Sequence, residues 1–314
     1  MRKARADSGP RKPAPVKLET LRDFVNYAAR RFRSAHLHFG HGTANARDEA
    51  AYLILHAMGL PPHDLEPFLA RRLSKAEREC ALSLIGRRVA ERVPAPYLTH
   101  EAWLRGHRFH VDERAIVPRS FIAELLPEGL DPWLAEPDSV RDVLDLCTGS
   151  GCLAILASLA FPRAAVDAVD LSADALDVAR RNVNDYGLNK RIHLAESDLF
   201  EGLAKRRYDI ILSNPPYVGA RAMLDLPEEY RKEPALALAA GKEGLDIVER
   251  ILRQARSHLN PGGILVVEIG HNRAVLEAAY PRLPFTWLEV SSGSDFVFLL
   301  SASELATAPL RRRK

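Results

Sequence analysis

The sequence predicts an α/β protein. A mostly parallel seven-stranded sheet with helices on both faces, finished by an antiparallel hairpin, follows a small all-helical domain and a β-hairpin linker. Three observations point there. Across residues 139–302, apolar runs of strand length alternate with segments of helical period, the pattern of a doubly wound sheet. A glycine-bearing turn, Asp145-Leu146-Cys147-Thr148-Gly149-Ser150-Gly151-Cys152, stands between the first of those strands and a helix. The last two strand candidates are separated only by Ser291-Ser292-Gly293-Ser294-Asp295, short enough for a hairpin.

With 314 residues, 47% of them hydrophobic and 27% charged, the chain has the make-up of a soluble protein with room for one large domain and a smaller one. No apolar run approaches the roughly 20 residues of a membrane span, and no signal-peptide h-region opens it. Residues 1–17 hold six basic residues and one acidic one. Pro10, Pro13 and Pro15 interrupt any amphipathic transit helix there, so a disordered basic tail is expected. A second basic tail is expected at 303–314, ending in Arg311 to Lys314. Between these ends 34 basic residues face 40 acidic ones, a net charge of −6. The tails could touch nucleic acid weakly, but an acidic body argues against a dedicated nucleic-acid surface. Cys80, Cys147 and Cys152 are odd in number and lack CxxC spacing, which points away from disulfides and from a metal site and fits a reducing cytoplasm.

Each element has its own signal. Residues 18–93 read as a helical domain, expected to recognise the substrate. Leu21, Phe24, Val25 and Ala28 recur at helical spacing, as do Ala50, Leu53, Ile54 and Ala57. Asn45 caps the second helix, which ends at Gly59 and Pro61-Pro62; a third runs from Ser74 to about 92. Phe39-Gly40-His41-Gly42-Thr43 reads as a glycine turn on the surface. Residues 94–120 are expected to be the linker, a hairpin turning at Arg105-Gly106-His107 and ending at Pro118-Arg119-Ser120. The large domain, 121–302, has strand candidates Arg141–Leu146, Ala165–Val169, Ile192–Leu194, Tyr208–Ser213, Ile264–Glu268, Phe285–Val290 and Phe296–Leu300.

Two constellations carry chemistry. In the first, Gly149 and Gly151 let the backbone turn sharply and approach a ligand in front of a helix N-terminus. Asp170 ends the second strand, where a carboxylate can take both hydroxyls of a ribose. Gly149-x-Gly151-x-x-Ala154 also satisfies the dinucleotide fingerprint, so this signal alone leaves a nicotinamide cofactor open. Acidic residues at the ends of the first and third strands, Asp145 and Asp198 (followed by Leu199), favour instead S-adenosyl-L-methionine, which carries an ammonium and a sulfonium and no pyrophosphate. The cofactor-binding candidates are therefore Asp145, Cys147, Thr148, Gly149, Ser150, Gly151, Asp170, Asp198, Leu199 and Asn214.

The second constellation is Asn214-Pro215-Pro216-Tyr217, directly after a buried-strand pattern. Two successive prolines remove two backbone donors and stiffen the chain. Stiff acceptors beside an amide and an aromatic face suit a planar group bearing N–H donors. Both a side-chain amide and the exocyclic amine of adenine qualify.

Taken together, Asp145–Gly151, Asp170 and Asn214–Tyr217 resemble the protein-glutamine N(5)-methyltransferases, and the resemblance spans residues 20–302. It implies the class I S-adenosylmethionine-dependent methyltransferase fold. It also implies that Asn214 and the Pro215 backbone accept hydrogen bonds from a glutamine amide while Tyr217 packs on its plane, with Pro216 completing the motif. Phe39–Thr43, Tyr97-Leu98-Thr99 through Trp103, Val111–Arg114 and Val117-Pro118-Arg119-Ser120 are similar to the branch that modifies the third ribosomal protein of the large subunit. The other branch modifies peptide-chain release factors. Phe121 departs from the family pattern, which has proline there. Arg119, Glu268 and Glu233 are further candidates near the cleft, and residues 218–244 make a candidate lid. Three other functions stay in view: release-factor methylation, adenine methylation in DNA or RNA, and a non-catalytic assembly factor that only binds S-adenosylmethionine.

Overall fold

A computed structural model describes residues 18–307 apart from His63, Ala135 and Ala204. The expected tail at 1–17, and the part of the second tail from 308 onward, lie outside the described residues. The chain forms two compact units: one ends at residue 37 and resumes at 45–90, and the other comprises 38–44 and everything from 91 onward.

The smaller unit is helical, as its periodicity predicts. Helix α1 (Leu21–Ser34) opens on a capping box: the Asp23 N–H donates to Thr20 Oγ1, and the Asp23 carboxylate accepts from the Thr20 N–H. Its face of Leu21, Phe24, Val25, Ala28 and Phe32 is buried. Asn45 caps α2 (Ala46–Ala57) by accepting from the N–H groups of Arg47 and Asp48. Ser74 and Glu77 cap α3 (Lys75–Glu91) reciprocally. Arg88, fully buried, pairs at 2.7 Å with the equally buried Glu49 of α2, which fixes the register of α3 on α2.

The larger unit contains a short helix α4 (Ala95–Thr99) and the linker hairpin, β1 (Glu101–Leu104) and β2 (His107–His110). Arg105 and Gly106 both take left-handed conformations, the requirement of a tight two-residue hairpin turn. Helix α5 (Ile122–Leu125) then leads into the sheet: β3 (Asp142–Leu146), α6 (Cys152–Ala160), β4 (Ala165–Asp170), α7 (Ala173–Asp185), β5 (Ile192–Glu196) and β6 (Tyr208–Ser213). After α8 (Ala220–Leu224) and α9 (Asp246–Ala255) come β7 (Leu259–Glu268), α10 (Arg273–Ala279), β8 (Thr286–Val290), β9 (Gly293–Ser301) and α11 (Ala302–Thr307). The strands lie in the order β5-β4-β3-β6-β7-β9-β8. The first five run parallel, β9 is antiparallel to β7, and β8 is antiparallel to β9. This is the expected class I methyltransferase fold, a parallel sheet closed by a hairpin.

Alternation along the strands divides the core. Val143, Val166, Ile210 and Val266 face one way, onto Ile122, Leu153 and Ile155; Leu144, Ile211, Leu265 and Val267 face the other, onto Val248, Ile251 and Leu252 of α9. Several boundaries differ from the sequence reading: β5 runs on to Glu196, and β9 begins at Gly293, inside the stretch expected as the hairpin turn. Strand β7 begins at Leu259, ahead of the expected start at Ile264, pairing with Tyr208 before an irregularity at Asn260–Gly263. Helix α11 occupies the start of the expected C-terminal tail, because Ser301 and Glu304 cap it and Leu305 is buried. Segment 38–44, expected as part of the helical domain, packs with the larger unit.

Candidate active site

The two chemical motifs leave neighbouring strand ends. Leu146 of β3 is the register partner of Ser213 of β6, and the Ser213 hydroxyl donates to the Leu146 carbonyl at 3.0 Å. Strand order reverses between β3 and β6, so the two turns flank the crevice where open α/β sheets bind ligands. A cleft of about 310 Å³ opens there. Of the residues singled out from the sequence, Cys147, Gly149, Asp170, Asp198, Leu199, Asn214 and Pro216 line it. Asp145, Thr148, Ser150, Gly151, Pro215 and Tyr217 are not among its lining residues, and several of them hold the lining in place.

Asp145 is fully buried. Its Oδ2 accepts from the Thr148 hydroxyl at 2.5 Å and from the Ala154 N–H at 3.1 Å, which locks the glycine turn onto α6. Its Oδ1 has no hydrogen-bond partner among the described residues. Burial outweighs those two bonds and pushes the carboxyl up to about 7. A buried acceptor without a donor beside a ligand-sized cleft suits an incoming cation. Gly149 (φ +55°) and Gly151 (φ +78°) take the left-handed conformations their turn requires. Burial raises the thiol pKa of both neighbouring cysteines, Cys152 to about 12, so neither is a ready nucleophile.

Asp170 bridges the cleft wall. Its Oδ2 accepts from the Gly149 N–H at 2.8 Å and its Oδ1 from the Ser172 N–H at 2.9 Å. A carboxylate offers about four lone-pair sites, so one on each oxygen remains for a pair of hydroxyls. Burial raises its pKa, opposed by backbone donors at Ser172, Gly149 and Leu171. Asp198 instead pairs with Arg250 of α9 at 2.8 Å. Sequence reasoning missed that arginine, which sits at a helix position with no motif around it.

The Asn214 amide is oriented by the linker: its Nδ2–H donates to the Arg119 carbonyl at 3.0 Å. With the nitrogen so engaged, Oδ1 is the function left for the cleft. The Arg119 guanidinium grips Glu233 through both terminal nitrogens, at 2.5 and 2.6 Å. It also lies 5.5 Å from the centre of the Tyr230 ring. Glu233 accepts further from the Val117 N–H at 3.0 Å. Burial alone would raise Glu233, but Arg119 and His41 hold it at about 2. Neither member of this pair is therefore poised to exchange a proton near neutral pH.

Tyr217 is held by the turn after β7, which the sequence reading passed over. Asn272 Nδ2 donates to the Tyr217 carbonyl at 2.8 Å. The ring lies so close to Gly270 (φ +55°) that an added Cβ would stand 2.6 Å from its Cε2. Burial and the nearby Glu268 charge push the Tyr217 phenol up to about 12, keeping it neutral. Glu268 is itself buried at the end of β7, where its Oε2 accepts from the Ser120 hydroxyl at 2.7 Å and the Phe121 N–H at 2.8 Å. Burial raises it to about 7. Phe121, the departure from the family pattern, thus supplies a backbone donor that proline lacks.

The surface-turn reading of Phe39–Thr43 is overturned at His41, which is 2% exposed. Its ring lies 4.3 Å from that of Tyr230, centre to centre, and its Nε2 is 3.5 Å from Glu233 Oε2. Asn182 of α7 is another missed residue. Its amide joins the linker to the glycine turn by accepting from the His110 N–H and donating to the carbonyls of His110 and Ser150.

Comparison with known proteins adds to this geometry. The family described as methyltransferase small domain matches residues 125–230. The ribosomal protein uL3 glutamine methyltransferase of Bordetella pertussis is 57% identical over 290 residues, 92% of this chain and 97% of that protein. The protein of the same name from Burkholderia pseudomallei is 56% identical over 299 residues, covering 93% and 97%. In Neisseria meningitidis serogroup B the figure is 57% over 292 residues, covering 93% and 96%.

Proposed function

Since the chain belongs to the family of the ribosomal protein uL3 glutamine methyltransferases, we propose that it moves a methyl group from S-adenosylmethionine to the side-chain amide nitrogen of a glutamine in uL3. The observation that carries the reading is the Asn214 amide, whose nitrogen is held on the Arg119 carbonyl so that the oxygen acceptor is left beside the cleft. S-adenosylmethionine supplies an activated methyl group on a sulfonium. Asp170 would hold its ribose hydroxyls, and the unpartnered Asp145 Oδ1 would answer its cationic end. Cys147, Gly149 and Leu199 would shape the cleft around it. Asp198 would meet the adenine after loosening its bond to Arg250.

Acceptors are what the substrate needs. An amide nitrogen is a weak nucleophile because its lone pair is conjugated with the carbonyl. Hydrogen bonds from its two N–H groups to Asn214 Oδ1 and the Pro215 carbonyl would fix the amide plane and favour positive charge developing on nitrogen during transfer. No strong base is required beforehand, since the extra proton can leave afterwards. A substrate without N–H donors would strand these acceptors, at roughly 1–3 kcal/mol each. Tyr217, neutral and pinned by Gly270 and Asn272, would give the aromatic wall behind the turn.

Membership in the uL3 family favours the ribosomal protein over release factors and over adenine, which offers the same two donors. A cytoplasmic site of action goes with that substrate. Among the described residues no helix is long and apolar enough to cross a membrane. The test is transfer of labelled methyl from S-adenosylmethionine to purified uL3, a release factor and adenine-containing oligonucleotides in parallel. Label on uL3 alone is expected. Label on the release factor or the oligonucleotide with uL3 unlabelled would reject the assignment, and no transfer to any acceptor would favour the non-catalytic alternative.

A further inference from the structure

One buried group in the larger unit has no place in the chemistry above: the imidazole of His41. It precedes the Asn-Pro-Pro-Tyr turn by most of the chain, yet the segment that carries it packs with the catalytic unit. Several contacts anchor this segment to residues 228–233. The His38 N–H donates to Glu229 at 3.0 Å, and Glu229, fully buried, also pairs with Arg92 at 3.1 Å. The His41 ring rests on Tyr230. Its Nε2, buried and without a hydrogen-bond partner among the described residues, stands 3.5 Å from Oε2 of Glu233, the carboxylate that Arg119 grips with both nitrogens.

We propose that His41 is a positioning residue for methyl transfer, acting on Asn214 through Glu233 and Arg119. The chain of contacts is continuous. His41, with its ring on Tyr230, stands beside the Glu233 carboxylate, whose oxygens accept from the Arg119 guanidinium and the Val117 N–H. Those bonds fix the backbone from Val117 to Arg119. The Arg119 carbonyl in turn decides which way the Asn214 amide faces. A flipped amide would offer N–H groups where the substrate also offers N–H groups, so orientation of this one side chain separates an acceptor site from a repelling one. Arg119 is a quarter exposed and Glu233 is wholly buried, so the carboxylate depends on its neighbours rather than on water to keep its direction. In this arrangement the Phe39–Thr43 segment is a distant support of the acceptor site, and the link is made by Glu233, which lies far from both in sequence.

The proposal rests on the acceptor role of Asn214, and a kinetic double-mutant cycle separates the two. It uses the full chain, S-adenosylmethionine and uL3. Asn214→Ala comes first: wild-type turnover in that variant would reject the acceptor reading itself, whatever His41 does. With Asn214→Ala slow, His41→Phe keeps a ring against Tyr230 and deletes the nitrogen. It is expected to lower kcat about tenfold, leave the cofactor Kd within about twofold, and cost nothing more in the Asn214→Ala background, because coupled residues do not add. An equal loss in both backgrounds would make His41 a general prop and overturn the proposal, as would wild-type kcat for His41→Phe. Should the Phe variant not fold, as judged by its loss of cofactor binding, His41→Gln takes its place with the same expected and overturning outcomes.

Discussion

Replacing Gly270 by alanine puts a methyl group where the Tyr217 ring now lies. The added Cβ would stand 2.6 Å from Cε2, 2.8 Å from Cδ2 and 3.2 Å from Cζ. Carbon atoms rest at roughly 3.5–4.0 Å, so the ring has to withdraw by about 1 Å. The backbone of Tyr217 cannot follow freely, because Asn272 holds its carbonyl at 2.8 Å. Withdrawal therefore tilts the ring against the Asn-Pro-Pro turn. Displacements of about 1 Å near the reacting atoms cost on the order of 100-fold in rate, so kcat on uL3 should fall about 10- to 100-fold. Alanine at a left-handed φ costs roughly 1–2 kcal/mol of stability, which lowers Tm by only a few degrees in a domain of this size. Initial rates at saturating cofactor and protein substrate, with calorimetric Kd for S-adenosylmethionine as control, give the comparison. A variant with kcat within about twofold of wild type would refute the claim that Gly270 sets the position of Tyr217 for catalysis.

Other perturbations separate the parts of the site. Asn214→Ala should lower kcat tenfold or more with little change in cofactor Kd, about 1.4 kcal/mol or more of transition-state stabilisation; steady-state kinetics and calorimetry check the split. Asp170→Ala should act in reverse, weakening the cofactor at least about tenfold; an unchanged Kd would remove Asp170 from the ribose. Asp145 titrates at about 7, and a cationic ligand prefers the ionised form. Cofactor affinity should therefore be steady above that pH and fall below it, by at most about tenfold per pH unit; a flat calorimetric profile would refute the contact. Phe121→Pro should destabilise the fold by roughly 1–3 kcal/mol, because it strips a donor from the buried Glu268 carboxyl; a denaturation midpoint at or above wild type would contradict that.

Strand positions in the catalytic sheet were legible because each carries an apolar run bounded by turn residues, and Tyr208–Ser213 matches the sequence reading to the residue. The start of β7 was not. Asn260-Pro261-Gly262-Gly263 has turn chemistry, and its inclusion in the strand depends on Leu259 pairing with Tyr208, a non-local contact. The cleft motifs were legible for the same local reason, since glycines and prolines mark unusual backbone wherever they stand. Their supports were not. Gly270 and Asn272 matter because of where Tyr217 lies, and Asn182 because of where the hairpin docks. His41 looked like part of a surface turn because its burial comes from Tyr230 and Glu233. The anchoring bond between His38 and Glu229 spans 191 residues, a separation over which no sequence period extends.

Mass spectrometry of uL3 and of the release factors, taken from cells with and without this gene, tests the central claim most directly. The expected result is a mass increment of one methylene group on uL3, fragmenting to a glutamine side chain, that vanishes when the gene is lost and returns with wild-type protein but not with Asn214→Ala. A uL3 mass unaffected by loss of the gene, with the increment disappearing from a release factor instead, would contradict it.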